Sequence, residues 1–174
     1  MIYLKLAHDT SSKRIDLKQP IPFVPSPKDV ADAMIEMVQP KPYERLYDLG
    51  CGDGRIPLAA ARFYGCVGVG FEGNLGLVEY ARRKAALTNL GEGRAEIIHG
   101  NLFQTDLSKA NIVTLYLTPE ALRILRPRLE MTLPTGARVV SHNYSIEGWK
   151  PKAVEDVLSR TDDRTHRLFL YKLP

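Results

Sequence analysis

Apolar residues fall along the chain in two alternating rhythms. Val30, Ala33, Met34, Met37 and Val38 recur every three to four positions, which predicts a helix over residues 30–38 with one buried face. Ser26-Pro27 ahead of it reads as an N-cap followed by a first-turn proline, and Pro40 and Pro42 stop it. Short apolar runs then alternate with helical stretches. The runs predict strands around Leu46-Tyr47 and over residues 66–71, 95–99, 111–117 and 138–142. Helices are expected over 55–64 and 75–90, and from Pro119 onward, the last bent or interrupted at Pro127. Two further β-like pieces, 154–158 and 168–171, are joined by the polar turn Thr161-Asp162-Asp163-Arg164. Alternation through residue 142 implies parallel strands with right-handed crossovers, and the last pair implies an antiparallel hairpin. The predicted architecture is α/β: a doubly wound, mostly parallel seven-stranded sheet with an antiparallel C-terminal hairpin strand. Residues 1–25, poor in apolar positions and ending in Pro20-Ile21-Pro22-Phe23-Val24-Pro25, read as a stiff N-terminal extension, and 26–174 as one domain.

Composition narrows the class. The chain has 174 residues and a mass of 19.5 kDa, the size of one domain. No apolar run approaches the roughly 18 residues of a membrane span, and the opening MIYLKLAHD lacks the apolar core of a signal peptide. The expected location is cytoplasmic. A net charge of +4 falls well short of the density that marks a nucleic-acid binder. Cys51 and Cys66, with His8, His99, His142 and His166, show neither a disulfide framework nor metal-ligand spacing, so no metal site is expected.

The strongest chemical signal is Tyr47-Asp48-Leu49-Gly50-Cys51-Gly52-Asp53-Gly54-Arg55, at the end of the first strand. Ligands bind beyond the carboxyl ends of strands in open α/β sheets. Gly50, Gly52 and Gly54 let the backbone turn tightly and approach a ligand, and the next helix offers unpaired N–H groups. A dinucleotide fingerprint requires a small residue where Arg55 stands. Asp48 would repel a pyrophosphate but suits an ammonium group. Glu72, at the end of the second strand, can accept both hydroxyls of a ribose. Asn101 can hydrogen-bond an adenine edge, with Leu102 or Phe103 flanking the ring. A ligand with an amino acid, a ribose and an adenine is S-adenosylmethionine.

On these residues the chain resembles the class I S-adenosylmethionine-dependent methyltransferases, which implies a Rossmann-like sheet and that cofactor. Narrower segments are similar to the small archaeal protein-lysine methyltransferases and their mitochondrial relatives. They are Phe23-Val24-Pro25-Ser26-Pro27, the run from Asp106 through Val113-Thr114-Leu115-Tyr116-Leu117-Thr118, Arg126-Pro127-Arg128, and Ser141-His142 through Gly148-Trp149. The resemblance implies that Phe23, Val24 and Ser26 lie beside the methionine end of the cofactor, that Thr114 joins the cofactor set, and that the acceptor is a lysine side chain of a protein.

A lysine acceptor calls for an apolar, aromatic-walled channel, because burial lowers the amine's pKa and aromatic faces favour a sulfonium. Tyr116 and Trp149 are expected to frame it, with Phe23 and Tyr144 as further candidates. His142 is the candidate base, against a bland reading as a satisfied strand-end histidine. An RNA or DNA methyltransferase lacks support in the fourth strand, which ends Leu115-Tyr116-Leu117-Thr118 without an Asn/Asp-Pro-Pro-aromatic signature. Small-molecule methylation and a non-catalytic cofactor-binding module remain as alternatives.

Overall fold

Seven strands and four helices follow the expected alternation in a computed structural model that describes residues 23–91 and 93–174. The first 22 residues of the expected N-terminal extension lie outside the described residues. The order is α1 (Lys28–Val38), β1 (Arg45–Leu49), α2 (Arg55–Tyr64), β2 (Val67–Glu72), α3 (Leu75–Leu87), β3 (Ala95–His99), a 3-10 turn (Leu102–Gln104), β4 (Ile112–Leu115), α4 (Pro119–Thr132), β5 (Arg138–His142), β6 (Ala153–Leu158) and β7 (Thr165–Lys172). Spatially the sheet runs β3-β2-β1-β4-β5-β7-β6. The first five strands are parallel, and β7 is antiparallel to both β5 and β6. The chain builds outward from β1 to β3, then returns to lay β4 on the other side of β1. That reversal opens a crevice beyond the carboxyl ends of β1 and β4.

Strand alternation divides the core between two faces. Leu46, Ile112, Val140 and Leu168 pack with Val30, Met34, Ile35 and Val38 of α1 and Ile56 and Ala60 of α2. Tyr47, Leu49, Val113, Leu115, Val139 and Tyr171 pack with Leu122, Leu125 and Leu129 of α4. A smaller cluster of Val78, Ala81, Ile97 and Cys51 seats α3.

Three local expectations are corrected. The N-cap of α1 is Pro27 and not Ser26, and no side chain caps the helix, because the Ser26 hydroxyl is committed to His142 instead. Pro127 lies inside α4 without interrupting it. Both Pro127 and Arg123, whose carbonyl loses its partner, are on the exposed side, where water can take over. The fourth strand ends at Leu115, two residues early, and Thr118 caps α4 by accepting the Ala121 N–H.

Candidate functional site

The crevice is built first by the turn between β1 and α2. The N–H groups of Gly50 and Cys51 both donate to the Phe71 carbonyl, at 2.8 and 3.0 Å, and so pin the turn to β2. Gly50, Gly52 and Gly54 all have positive φ. At Gly52 a side chain is excluded twice, by φ of +54° and by the Phe23 ring, whose Cε2 would lie 2.1 Å from an added Cβ. The Phe23 ring therefore covers the turn. Residues 23–27 are held there by Arg55, whose Nη1 donates to the Ser26 carbonyl at 2.6 Å.

Three carboxylates surround the turn, and each is treated differently. Glu72 accepts the Gly52 N–H at 2.9 Å through Oε2 and the Asn74 N–H at 2.8 Å through Oε1. Asp53 is gripped by Arg55 Nε at 2.9 Å and Lys84 Nζ at 3.0 Å. Burial alone would raise the Asp53 pKa, but those bonds and charges hold it below the usual range. Asp48 is buried with no cationic partner among the described residues, and accepts the Thr114 hydroxyl at 2.7 Å through Oδ1. Its pKa is pushed up to about 7, chiefly by burial; the Thr114 bond opposes the shift, and the charges of Glu72 and Asp53 add to it.

At the β3 end, Asn101 caps the 3-10 turn by accepting the Phe103 N–H through Oδ1 at 2.9 Å. No hydrogen bond among the described residues occupies its Nδ2 group. Leu102 is half-buried beside it, and its Cδ2 would lie 3.7 Å from a Cβ at Gly50. On the opposite side, the Tyr116 ring lies on His142 with centroids 3.9 Å apart. His142 is fully buried, with Nδ1 2.9 Å from Ser26 Oγ and Nε2 2.8 Å from Nδ1 of His166. His166 Nε2 in turn lies 3.1 Å from a carboxylate oxygen of Asp162. Burial drives the His142 pKa down to about 3, and a charge on His166 would lower it further.

The expected residues thus divide. Asp48, Gly50, Gly52, Gly54, Glu72, Phe23 and Ser26 come together around one turn, with Asn101 and Leu102 at its β3 side. Val24 is largely exposed, and Thr114 is wholly buried behind Asp48, whose carboxylate it orients. Tyr116 and Trp149 are not paired with each other. Tyr116 stacks on His142, whereas the Trp149 indole donates to Glu130 of α4 at 2.7 Å and meets Tyr171 edge-on at 5.4 Å. Trp149 therefore anchors the loop after β5 against the α4-side core. Sequence reading missed the partnership of His142 with His166 and Asp162. The alternation of β7 signals that His166 and Leu168 share the α1 face, but their apposition to His142 depends on hairpin register.

The donor set fits S-adenosylmethionine. A buried, uncompensated carboxylate in a negative field suits an ammonium, Glu72 suits a diol, and the Asn101 Nδ2 group suits an acceptor on a base.

A family model described as the ANTKMT methyltransferase domain matches residues 48–153. A protein-lysine N-methyltransferase from Saccharolobus islandicus is 38% identical over 156 residues, spanning 87% of this chain and 92% of that protein. The adenine nucleotide translocase lysine N-methyltransferase of Mus musculus is 32% identical over 82% of this chain, which spans 61% of the mouse protein. Among solved structures, an RNA methyltransferase from Salinibacter ruber in complex with S-adenosyl-L-homocysteine superposes with a TM-score of 0.81 at 38% identity, covering 87% of this chain and 94% of that one.

Proposed function

The chain belongs to the ANTKMT methyltransferase domain family, and we propose that it transfers methyl groups from S-adenosylmethionine to lysine side chains of a protein substrate. The observation that carries the reading is the junction at Ser26. Its carbonyl is tied to Arg55 beside the glycine turn, and its hydroxyl meets His142 under the Tyr116 ring. The glycine turn and an aromatic, titratable cluster thus share one segment.

When bound, the cofactor supplies an electrophilic sulfonium methyl group. Asp48, oriented by Thr114, would face the ammonium of its amino-acid end. Glu72 would receive the ribose hydroxyls while continuing to brace Gly52 and Asn74. Asn101 Nδ2 would read the base edge, Leu102 would flank the ring, and Phe23, Val24 and Ser26 would line the methionine end. This positions two reactants for an in-line displacement, where orientation supplies much of the rate.

The acceptor amine must be unprotonated when it attacks the methyl group. At neutral pH a lysine pays about 4.6 kcal/mol for this, from roughly 3.4 units at 1.36 kcal/mol each. The role of an apolar mouth that would lower that cost by desolvating the ammonium falls in this reading to Tyr116, Phe23 and Tyr144. Trp149 contributes by fixing the loop that carries Tyr144. The reading places the activity in the cytoplasm; no helix among the described residues is long and apolar enough to cross a membrane.

The test supplies methyl-labelled S-adenosylmethionine and a cell extract to the purified protein, then divides the product between protease and nuclease. Label released only by protease and recovered as methyl-lysine is the expected result. The Tyr116→Ala variant should then lose at least about tenfold in rate, on the order of 1.4 kcal/mol, with S-adenosylhomocysteine affinity little changed. The Salinibacter ruber structure, described as an RNA methyltransferase, motivates the second reading. Label released by nuclease would establish it and remove lysine.

A further inference from the structure

The two buried imidazoles form part of a longer chain of hydrogen bonds. From the cofactor side outward it runs Ser26 Oγ to His142 Nδ1 at 2.9 Å, His142 Nε2 to His166 Nδ1 at 2.8 Å, and His166 Nε2 to Asp162 Oδ2 at 3.1 Å. Chemistry fixes its direction. Asp162 as a carboxylate only accepts, so His166 Nε2 carries its proton, and His166 Nδ1 must accept. His142 Nε2 therefore donates, His142 Nδ1 accepts, and the Ser26 hydroxyl donates to it. All the donors point outward, and the Ser26 oxygen keeps its acceptor capacity at the inner end.

We propose that Ser26, His142, His166 and Asp162 form a proton wire, carrying the proton of the acceptor amine from the mouth of the site to the turn between β6 and β7. The proposal rests on the lysine reading. The ammonium gives one proton to Ser26 Oγ while the serine proton passes to His142 Nδ1. The His142 Nε2 proton passes to His166 Nδ1, leaving a neutral amine and an imidazolium paired with the Asp162 carboxylate. Solvent removes the proton at the outer end, where the Asp162 side chain is about one-third exposed (34%). The wire resets when the serine hydroxyl rotates and each imidazole loses its Nδ1 proton to solvent and regains one at Nε2 as the β6–β7 turn opens between turnovers, so that no proton runs back to the amine.

Surroundings match the role. His142 is fully buried and His166 is 6% exposed, so water does not supply an alternative path alongside them. Burial disfavours a charge resting on His142. The wire accordingly leads through that ring to His166, whose Nε2 lies beside the Asp162 carboxylate. The Asp162 carboxyl is held below its usual range, since the bonds from His166 and the turn outweigh the opposing effect of burial. The titratable and charged groups facing the pair are Tyr116 on His142, Asp162 on His166, and Asp29 of α1 behind the turn. Asp29 clamps that turn by accepting from Ser159 Oγ at 2.9 Å and the Arg160 N–H at 2.6 Å. It thereby fixes where Asp162 sits.

The experiment measures methyl-lysine formation by the full chain from pH 6.5 to 9.5, with labelled S-adenosylmethionine and extract protein as acceptor. For His166→Ala the expected result is a rate at least about tenfold below wild type at pH 7. That rate should rise about tenfold per pH unit toward the lysine's own pKa near 10.4 and be partly restored by added imidazole. S-adenosylhomocysteine affinity should stay close to wild type, which excludes a collapsed site. Asp162→Asn, on an exposed turn, provides the second variant should His166→Ala fail to fold, and should show the same steepened profile. A variant that keeps the wild-type pH profile and ignores imidazole overturns the wire and leaves the two rings as packing. Failure of wild type itself to form methyl-lysine overturns the lysine reading and the wire together, in an arm separate from the variants.

Discussion

At Asp48 the demands of folding and of ligand binding oppose each other. Folding buries the carboxyl beside two other acids and raises its pKa to about 7. A ligand ammonium requires it ionised. Below pH 7 binding must therefore expel a proton, and affinity should rise with pH until the carboxyl is already ionised in the free protein. The Kd of S-adenosylhomocysteine is expected to fall between pH 6 and 8, with up to one proton released on binding at the acidic end. Calorimetry in two buffers of different ionisation enthalpy measures both. Thr114→Val removes the hydrogen bond that favours the ionised form, so the transition should move to higher pH. A Kd independent of pH in wild type would sink this account. The place of Asp48 at the turn was legible in the sequence because it stands two residues before the glycine triplet, which spans the five residues 50–54. Thr114 was placed directly against the cofactor, yet it lies opposite Asp48 in the β1–β4 register and acts through it. Which strand neighbours β1 is a property of topology and not of the motif.

Among the elements, α2 and β2 press together at a point where only glycine fits. A Cβ at Gly68 would meet the Pro57 carbonyl oxygen of α2 at 2.1 Å, and backbone cannot swing aside as a flexible side chain can. Gly68→Ala should destabilise the fold by roughly 1–3 kcal/mol, the usual cost of overpacking, seen as a lower urea midpoint. Because Pro57 lies in the first turn of α2, the same change should displace the start of that helix and weaken S-adenosylhomocysteine binding. Unchanged stability would mean that α2 is free to lift. The expected boundaries of α2, β3 and β5 match the observed ones because those segments combine clear periodicity with a hard stop, as at Gly65 or Gly100. Ser26 misled for a physical reason: a serine before Lys28 has the chemistry of a cap, and only the tertiary fold brings a buried imidazole within its reach. His166 and Asp162 were invisible for a similar reason, since they meet His142 only through the register of β7 on β5.

At the scale of the whole molecule, two buried groups on the carboxyl rim of the sheet titrate in opposite senses. Asp48 moves from an ordinary 3.8 up to about 7, so between these values the native state holds a proton that the unfolded chain has lost. This contribution to stability is present at low pH and disappears as pH rises through 7. His142 moves from an ordinary 6.5 down to about 3, so between these values the unfolded chain holds a proton that the native state lacks. Its contribution is present above 6.5 and disappears as pH falls toward 3. Across pH 4.5 to 6 the two proton differences cancel, and together they leave stability nearly level. Each alone would give a slope of about 1.4 kcal/mol per pH unit. Asp48→Asn should therefore tilt the profile so that stability rises more steeply with pH than in wild type. His142→Asn should tilt it by a similar amount in the opposite direction. Urea unfolding at several pH values reads these slopes independently of each variant's overall stability, and the double variant should restore the wild-type slope. Asp53, held low by Arg55 and Lys84, changes its contribution mainly below this window and leaves the comparison intact. Three parallel profiles would show that the rim is hydrated enough to keep both groups near their ordinary values, and the proton wire would lose its dry interior with them.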